Sequence, residues 1–317
     1  MARPRRRPYG GEMSEPDAVA ATDLVWDSRT VPVEGGEVAA QDTGPIAGRS
    51  AVLLIGGATW SRDWWPEPFC AALVAAGLRV LRYDQRDTGA ATLSPVGEPG
   101  YTAPMLADDA AAVLSAFDVG RACVLGLSMG GGTAQLLAAT HPDRVASLVL
   151  VSTSPAGDVG RDLPGPTPEI VETFTDAAAE PDWSDHEAVV TWVVETERPY
   201  AGPGTFDESA VRALADRAVA RTPSLAPAAT NHLAVAGSAS SVDVGALRGI
   251  PALVIHGGAD PLFPPAHGRA LAEALAAPLL VLAGVGHELP PASTWDVVVP
   301  RIAELALGSV RAGDTTG

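Results

Sequence analysis

The stretch Ala122–Thr140, ACVLGLSMGGGTAQLLAAT, decides the fold. Its first part is apolar, as in a strand buried on both faces of a sheet, and its last part has the composition of a helix. Between them, Gly126-Leu-Ser-Met-Gly130 fits the pattern G-x-S-x-G. A serine on so sharp a strand-to-helix turn needs a glycine two residues before and two after it, because the chain passes too close for side chains. We therefore predict a strand, a tight turn that carries Ser128, and a helix that begins beside the serine.

The same alternation of apolar runs and helical stretches extends to both sides of this turn. Upstream, strands are predicted over residues 51–55 and 78–83, helices over 66–77 and 103–117, and two short strands near 23–42. Downstream, strands are predicted over 145–151, 251–256 and 279–282, and helices over 265–276 and 293–307. Strands that alternate with helices indicate an α/β fold with a mostly parallel central sheet flanked by helices.

The alternation stops between residues 153 and 248. This segment is rich in alanine, proline and acidic residues, and its periodicity favours helices near 168–179, 185–197 and 207–221. A helical insertion after one strand indicates a cap over one end of the sheet. The predicted organisation is a core over 21–152 and 249–310, a helical cap over 153–248, a disordered tail over 1–20 and a flexible tail over 311–317.

Composition narrows the possible functions. Acidic residues outnumber basic ones by 38 to 21, for a net charge of −17, so binding to a phosphate backbone is not expected. All the basic residues are arginines, which excludes mechanisms that need a lysine. No run of about 18 apolar residues predicts a membrane span, and no secretory signal is recognised, so a cytoplasmic protein is expected. Cys70 and Cys123 lie in apolar runs and are expected to be buried free thiols.

A serine hydroxyl needs a base that accepts its proton and an acid that orients this base. His287, after the strand at 279–282, is the candidate base, and Asp260, after the strand at 251–256, is the candidate acid. The order Ser, Asp, His along the chain is usual for this strand–turn–helix motif. Because all three follow strands, we expect them at one edge of the sheet. The competing acids, which also follow strands, are Asp84, Asp87 and Asp158.

The other histidines compete less well for the role of the base. His141 begins a surface turn, and His186 and His232 lie in the predicted cap. His256 ends a buried strand and is expected to be structural. His267 opens a helix, where exposure to solvent is favoured over a place at the edge of the pocket.

Acyl transfer also needs backbone amides that stabilise the negative charge on the reacting carbonyl oxygen. Met129, directly after the serine, is expected to supply one of these amides. Gly57, in the loop Gly56-Gly57-Ala58 after the strand at 51–55, is expected to supply the other. A glycine-rich loop is flexible enough to turn an amide inward.

Aromatic residues are concentrated beside this loop. Trp60, Trp64 and Trp65 fall within six residues and either form the wall of a site for a bulky apolar substrate or pack the loop onto its helix. The sequence does not separate these alternatives. Further candidates to contact a substrate are Phe174, Trp183, Trp192 and Phe263. For the three that lie in the cap, packing of the cap's own core competes with this role.

Taken together, these motifs resemble those of the α/β-hydrolases over residues 30–307. More closely, the chain resembles the aclacinomycin methylesterases of anthracycline biosynthesis and the hydrolases related to them. The resemblance rests on LIGG at 54–57, RYDQRDTG at 82–89, GLSMG at 126–130, PPAHG at 264–268 and GVGHEL at 284–289. It implies a serine that attacks a methyl ester on a polycyclic polyketide. Ser128, Asp260 and His287 match the catalytic positions, and Gly57 and Met129 match the oxyanion positions.

The sequence therefore predicts a serine carboxylic-ester hydrolase that acts on a bulky apolar small molecule. The acidic balance predicts a preference for neutral or amine-bearing esters over anionic ones. A lactonase, thioesterase, amidase or acyltransferase would use the same residues, and a protein that binds a ligand or steers a cyclisation without hydrolysis would have the same fold. No metal, organic cofactor, nucleic acid or membrane partner is expected, and the oligomeric state is left open.

Overall fold

A computed structural model describes residues 24–45, 49–175, 179–237 and 241–313; the predicted tail at 1–20 lies outside them. The strands of this described part are β1 (Asp27–Val33), β2 (Gly36–Asp42), β3 (Ala51–Ile55), β4 (Arg79–Asp84), β5 (Ala122–Leu127), β6 (Val145–Val151), β7 (Ala252–Gly257) and β8 (Leu279–Leu282). They form one sheet in the order β1-β2-β4-β3-β5-β6-β7-β8. β2 runs antiparallel to β1 and β4, and all other pairs are parallel.

Helices cover both faces of the sheet. The α-helices of the described part are α1 (Glu67–Ala75), α2 (Ala103–Ala116), α3 (Met129–Thr140), α4 (Pro168–Thr175), α5 (His186–Glu197), α6 (Glu208–Arg221), α7 (Ala226–Ala236), α8 (Ala266–Leu275) and α9 (Trp295–Gly313). One apolar cluster joins α2, α3 and α8 to the sheet, and a second joins α1 and α9 to it. The central strands β3, β5 and β6 are buried along their whole length, because both of their faces are covered. The predicted fold class is confirmed.

Four of these helices, α4 to α7, lie between β6 and β7. Apolar residues of α5 and α6, such as Val189, Val193 and Ala215, belong to the same cluster as Trp60 and Trp64 of the core. This helical segment, which we call the cap, therefore packs directly on the rest of the chain, which we call the core. Helix α7 was not predicted. Helix α4 ends at Thr175, short of the predicted end at 179, and residues 176–178 lie outside the described part of the chain.

The closing helix is longer than the sequence predicted. α9 continues to Gly313, past the predicted end at 307, and residues 314–317 lie outside the described part. Val298, Ile302 and Ala306 of α9 are buried, and their spacing of four residues forms one apolar stripe against the sheet. Within the described ranges, no helix is long and apolar enough to cross a membrane.

The sheet brings four loops to one edge. β3 leads into Gly56, β5 into Ser128, β7 into the loop of Asp260, and β8 into the loop of His287. Because these strands are parallel, their carboxyl ends meet on the same side, where ligands bind in open α/β sheets.

Candidate active site

Ser128 lies on the turn between β5 and α3 with a strained backbone, at φ 54° and ψ −119°. Residues other than glycine seldom adopt positive φ, and such strain is typical of a nucleophile held at the top of a sheet. A Cβ atom at Gly126 would lie 2.2 Å from the carbonyl oxygen of Gly130, and one at Gly130 would lie 2.3 Å from that of Ile55. Both glycines of the motif are therefore needed for the chain to pass.

The side chains of Ser128, His287 and Asp260 form one hydrogen-bonded chain. Ser128 Oγ lies 2.8 Å from His287 Nε2, and His287 Nδ1 lies 2.9 Å from Asp260 Oδ2. The other carboxylate oxygen, Oδ1, accepts hydrogen bonds from the amides of Leu262 and Phe263, which fixes the carboxylate. With Nδ1–H donating to Asp260, Nε2 is free to accept the serine proton. The structure thus brings together the three residues that the sequence nominated as nucleophile, base and acid.

The competing acids have other partners. Asp84 pairs with two arginines, Asp87 accepts a hydrogen bond from the Tyr101 hydroxyl, and Asp158 accepts one from a nearby backbone amide. None of these contacts involves His287. Among the described residues, no three or more side chains of His, Cys, Asp or Glu are gathered to hold a metal ion.

His267 is buried, whereas the sequence favoured exposure. Its Nδ1 lies 2.9 Å from Ser154 Oγ and its Nε2 lies 2.8 Å from the carbonyl oxygen of Pro164. Both partners are distant in the sequence, so the residues around His267 do not indicate these contacts. His256 is buried as expected, with Nε2 2.7 Å from the carbonyl oxygen of Phe263. Burial lowers the pKa of His256, so this ring is held neutral and structural.

Gly57 and Met129 lie on either side of the serine. Met129 is the first residue of α3, so its amide has no partner within the helix. A Cβ atom at Gly57 would lie 3.6 Å from that of Ser128, which places this loop directly against the nucleophile. Within the described part of the chain, neither amide donates a hydrogen bond. Both are therefore available beside Ser128 for an incoming carbonyl oxygen.

A histidine of the cap holds the loop of Gly57 in place. His232 of α7 is fully buried; its Nδ1 accepts a hydrogen bond of 2.8 Å from the Thr59 amide, and its Nε2 lies 2.8 Å from the carbonyl oxygen of Arg86. Burial lowers the pKa of His232, which favours the neutral ring that these two contacts require. Thr59 itself has a positive φ of 67°, so the loop is strained at this contact. The sequence placed His232 in the cap but assigned it no role.

The cap also pins the loop of His287. The His287 amide donates a hydrogen bond of 2.7 Å to the carbonyl oxygen of Tyr200. Glu288 Oε1 accepts hydrogen bonds from the amides of Gly202 and Gly286, at 2.9 and 3.0 Å. A Cβ atom at Gly286 would lie 2.2 Å from the Tyr200 carbonyl oxygen. The loop of His287 therefore packs closely against the cap segment at 200–202, and only a glycine fits at position 286.

A cavity of about 900 Å³ opens above Ser128, between the sheet edge and the cap. Its lining is mostly apolar, and its aromatic members include Trp60, Trp64, Phe174, Trp183, Trp192 and Phe263. Trp60 and Trp64 are stacked with ring centroids 4.9 Å apart, and the Phe263 ring meets that of His287 edge to face at 5.4 Å. Small-molecule sites usually enclose about 300–1,000 Å³, so this cavity is large enough for a multi-ring molecule.

Trp65 does not line this cavity, which corrects the sequence prediction. Its side chain has no exposed surface and packs against Trp60 and Phe69, with ring centroids 6.5 and 6.0 Å away. Trp60 and Trp64 line the cavity and also belong to the apolar cluster of the core, whereas Trp65 only packs the loop onto the core.

A model of the α/β-hydrolase fold matches residues 51–290 of the chain. The chain belongs to the α/β-hydrolase fold family, as the sequence motifs predicted. Among known proteins, it is similar to the rhodomycin D methylesterases of Streptomyces peucetius and of Streptomyces sp. (strain C5). It is 32% identical to each over 256 residues, which cover 75% of this chain and 85% of that protein.

Solved structures show the same fold. An esterase from Rhodococcus sp. ECU1013 superposes with a TM-score of 0.67 at 23% identity, over 92% of this chain and 98% of that one. The enol-lactonase from Burkholderia xenovorans LB400 superposes with a TM-score of 0.63 at 24% identity, over 89% of this chain and 100% of that one. At these identities, the likeness supports the fold rather than a particular substrate.

Proposed function

We propose that this protein is a serine carboxylic-ester hydrolase that acts on bulky apolar small molecules. The observation that carries the proposal is the hydrogen-bonded chain from Ser128 through His287 to Asp260. A serine hydroxyl is a weak nucleophile until a neighbouring base accepts its proton, and this arrangement supplies that base. Similarity to methylesterases over most of the chain favours an ester over other acyl bonds.

The first half of the reaction forms an acyl-enzyme. Ser128 Oγ attacks the ester carbonyl carbon while His287 Nε2 accepts the hydroxyl proton. The carbonyl oxygen becomes negative and receives hydrogen bonds from the amides of Gly57 and Met129. When the intermediate collapses, the carbon–oxygen bond to the alcohol breaks and His287 returns the proton to the leaving alcohol.

The second half releases the acid. A water molecule takes the place of the alcohol, and His287 accepts its proton as the oxygen attacks the acyl carbon. The second intermediate collapses to the free acid, and the proton returns to Ser128. Asp260 stays ionised and stabilises the imidazolium in both halves. Each oxyanion donor contributes about a hundredfold to a thousandfold in rate.

The size and the lining of the cavity support a multi-ring substrate. The stacked pair of Trp60 and Trp64 offers a flat apolar wall close to Gly57. Together with the relatives that act on rhodomycin D, this supports a methyl ester of polyketide type and a role in antibiotic biosynthesis. The acidic balance of the chain favours neutral or amine-bearing esters. The cytoplasm stays the predicted compartment.

Replacement of the nucleophile tests this proposal. Ser128→Ala is expected to lower kcat on a good aryl ester by about 10⁴-fold or more, with little change in the free energy of unfolding. A fluorophosphonate is expected to label Ser128 in the wild-type protein and no residue in the variant. Hydrolysis by the variant at the wild-type rate would refute the mechanism.

A substrate panel then tests the type of bond. Methyl esters, acetate esters and lactones of one aromatic ring system would be compared by kcat/KM. We expect the methyl esters to be the best substrates. If the lactones were opened faster, the same residues would serve a lactonase.

A further inference from the structure

Glu197 is a carboxylate in the wall of the cavity. It is the last residue of α5, and its Oε1 accepts a hydrogen bond of 3.2 Å from Nε1 of Trp60. Trp60 in turn lies against the loop beside the nucleophile, because a Cβ atom at Gly57 would be 3.7 Å from Cδ2 of Trp60. Glu197 therefore belongs to the reacting end of the cavity.

Among the described residues, no arginine forms an ion pair with this carboxylate. The neighbouring Arg198 faces away and pairs with Glu195 and Glu208, with its guanidinium 4.5 Å from the centre of the Phe206 ring. Within the described residues, the cavity lining contains no arginine, and the full sequence contains no lysine. Ionised carboxylates are costly in poorly solvated surroundings unless a countercharge is supplied.

We propose that Glu197 is a specificity-determining residue that binds a cationic group, such as a protonated amine, on the ester substrate. The inference rests on the proposed ester hydrolysis and narrows its substrate class to esters that carry a cation. Such a group would supply the missing countercharge at the point where the cavity meets Trp60. Burial raises the pKa of Glu197 to about 7, so a bound cation would also favour its ionised form.

The hydrogen bond to Trp60 offers a simpler alternative, in which Glu197 only fastens the cap to the loop. A purely structural role would change the turnover of cationic and neutral esters by the same factor. A role in recognition would change their ratio. The ratio of the two kcat/KM values therefore separates the two roles and cancels effects on His287 or on folding.

The experiment compares pairs of aryl esters that differ only at the end of a tether. One member ends in a trimethylammonium group and the other in a tert-butyl group of the same shape, with tethers of increasing length. Glu197→Gln removes the charge and keeps an oxygen that accepts from Trp60. Glu187→Gln is the matched control, because it removes the same charge from the same helix. Glu187 is exposed, pairs with Arg212 and is not part of the cavity lining.

For the best tether, we expect the cationic-to-neutral ratio to fall at least about tenfold in Glu197→Gln. In Glu187→Gln it should change by less than about twofold, as for an exposed ion pair. An unchanged ratio in Glu197→Gln would overturn the inference. An equal fall in both variants would also overturn it, since it would indicate the general acidic field of the protein.

The two proposals fail in different ways. If the wild-type protein hydrolyses neutral esters through Ser128 and shows no charge preference, only the role of Glu197 is wrong. If no ester is hydrolysed, the proposed function is wrong. In that case, dissociation constants of the same ester pairs for Ser128→Ala, with and without Glu197→Gln, still measure the charge preference.

Discussion

The imidazole of His232 connects the cap to the loop of Gly57: its Nδ1 accepts a hydrogen bond of 2.8 Å from the Thr59 amide, 173 residues away in the sequence. Gly57 lies two residues before Thr59. The direction of the Gly57 amide therefore depends on a helix of the cap, and a change at His232 is expected to reach the reacting carbonyl oxygen.

Removal of this ring is expected to affect both catalysis and stability. His232→Ala leaves the Thr59 amide and the Arg86 carbonyl buried without their partner, which costs about 2–4 kcal/mol in the free energy of unfolding. The loop loses its support, so kcat should fall about 10-fold to 100-fold with a smaller change in KM. Urea unfolding and steady-state kinetics measure the two effects. His141→Ala, which removes an exposed partner of Asp108, is the control and should change neither the free energy of unfolding nor kcat. An unchanged kcat in His232→Ala would contradict the role of His232 in supporting the loop of Gly57.

A partly buried ion-pair network fastens the cap at a second point. Arg221, at the end of α6, pairs with Asp63 at 2.5 Å and with the fully buried Asp84 at 2.7 Å. Arg221→Ala is expected to lower the free energy of unfolding by about 3 kcal/mol, because both carboxylates lose a partner in a poorly solvated place. Arg212→Ala breaks an exposed pair and should cost less than about 1 kcal/mol. Equal losses in urea unfolding would show that the network contributes no more than a surface pair.

The same network predicts that the free energy of unfolding depends on pH. Burial alone would raise the pKa of Asp63, but the hydrogen bonds and charge of Arg221 outweigh it and hold the pKa below its ordinary value of 3.8. A lowered folded-state pKa stabilises the protein above the unfolded-state pKa, and this contribution is lost as the pH falls through the folded-state pKa. The stability difference between wild type and Asp63→Asn should therefore shrink between about pH 5 and about pH 2. A difference that stays constant in urea unfolding across this range would contradict the prediction.

The contact between the loop of His287 and the cap tolerates no side chain. Gly286→Ala places a methyl group against the Tyr200 carbonyl, so the loop must shift and the hydrogen bond from Ser128 to His287 should weaken. We expect kcat to fall at least about tenfold, because reacting groups must be held in place to within about an ångström. Gly120→Ala, where a Cβ atom meets nothing within 4 Å, is the control. A Gly286→Ala variant with wild-type kcat would show that the loops can separate without cost.

Selectivity for a cationic ester should depend on pH. Glu197 ionises with a pKa of about 7, so the ratio of kcat/KM for the trimethylammonium ester to that for the tert-butyl ester should rise as the pH increases through 7. The titratable groups that face Glu197 are His287 and Glu288 from the loop after β8 and Tyr200 from the cap. Division by the value for the neutral ester cancels any pH dependence of the catalytic step that both substrates share. The ratio should be flat in Glu197→Gln, and a rise in that variant would assign the effect to another group.

Much of the sheet could be read from the sequence. β3, β6 and β8 were predicted to the residue. β3 and β6 are buried along their whole length and are therefore continuous apolar runs, whereas β8 is a partly exposed edge strand whose sequence is also apolar. Helix α7 could not be recognised, because the polarity of its residues does not follow their burial. The polar Asn231 and His232 are buried, whereas the apolar Leu233 is 55% exposed, so the sequence shows no apolar stripe with a helical period.

The candidate site likewise contains residues that the sequence could predict and residues that it could not. Ser128, Asp260 and His287 each follow a strand within a local motif, so the sequence could nominate them. The burial of His267 could not be foreseen, since it depends on a contact with Ser154, 113 residues away. The packing of Trp65 against Trp60 and Phe69 is local, and the sequence offered it as one of two alternatives. Glu197 carries no local signal at all, because its partner Trp60 is 137 residues away.

The apolar cluster that joins the cap to the core limits which segments can be exchanged between members of this family. Val189 and Val193 of α5 share that cluster with Trp60, Trp64 and Val298 of the core. A chimaera that receives only the cap of a relative would inherit half of an interface. Transfer of substrate preference between relatives should therefore require two separate pieces of chain, the cap and the tryptophan loop, moved together.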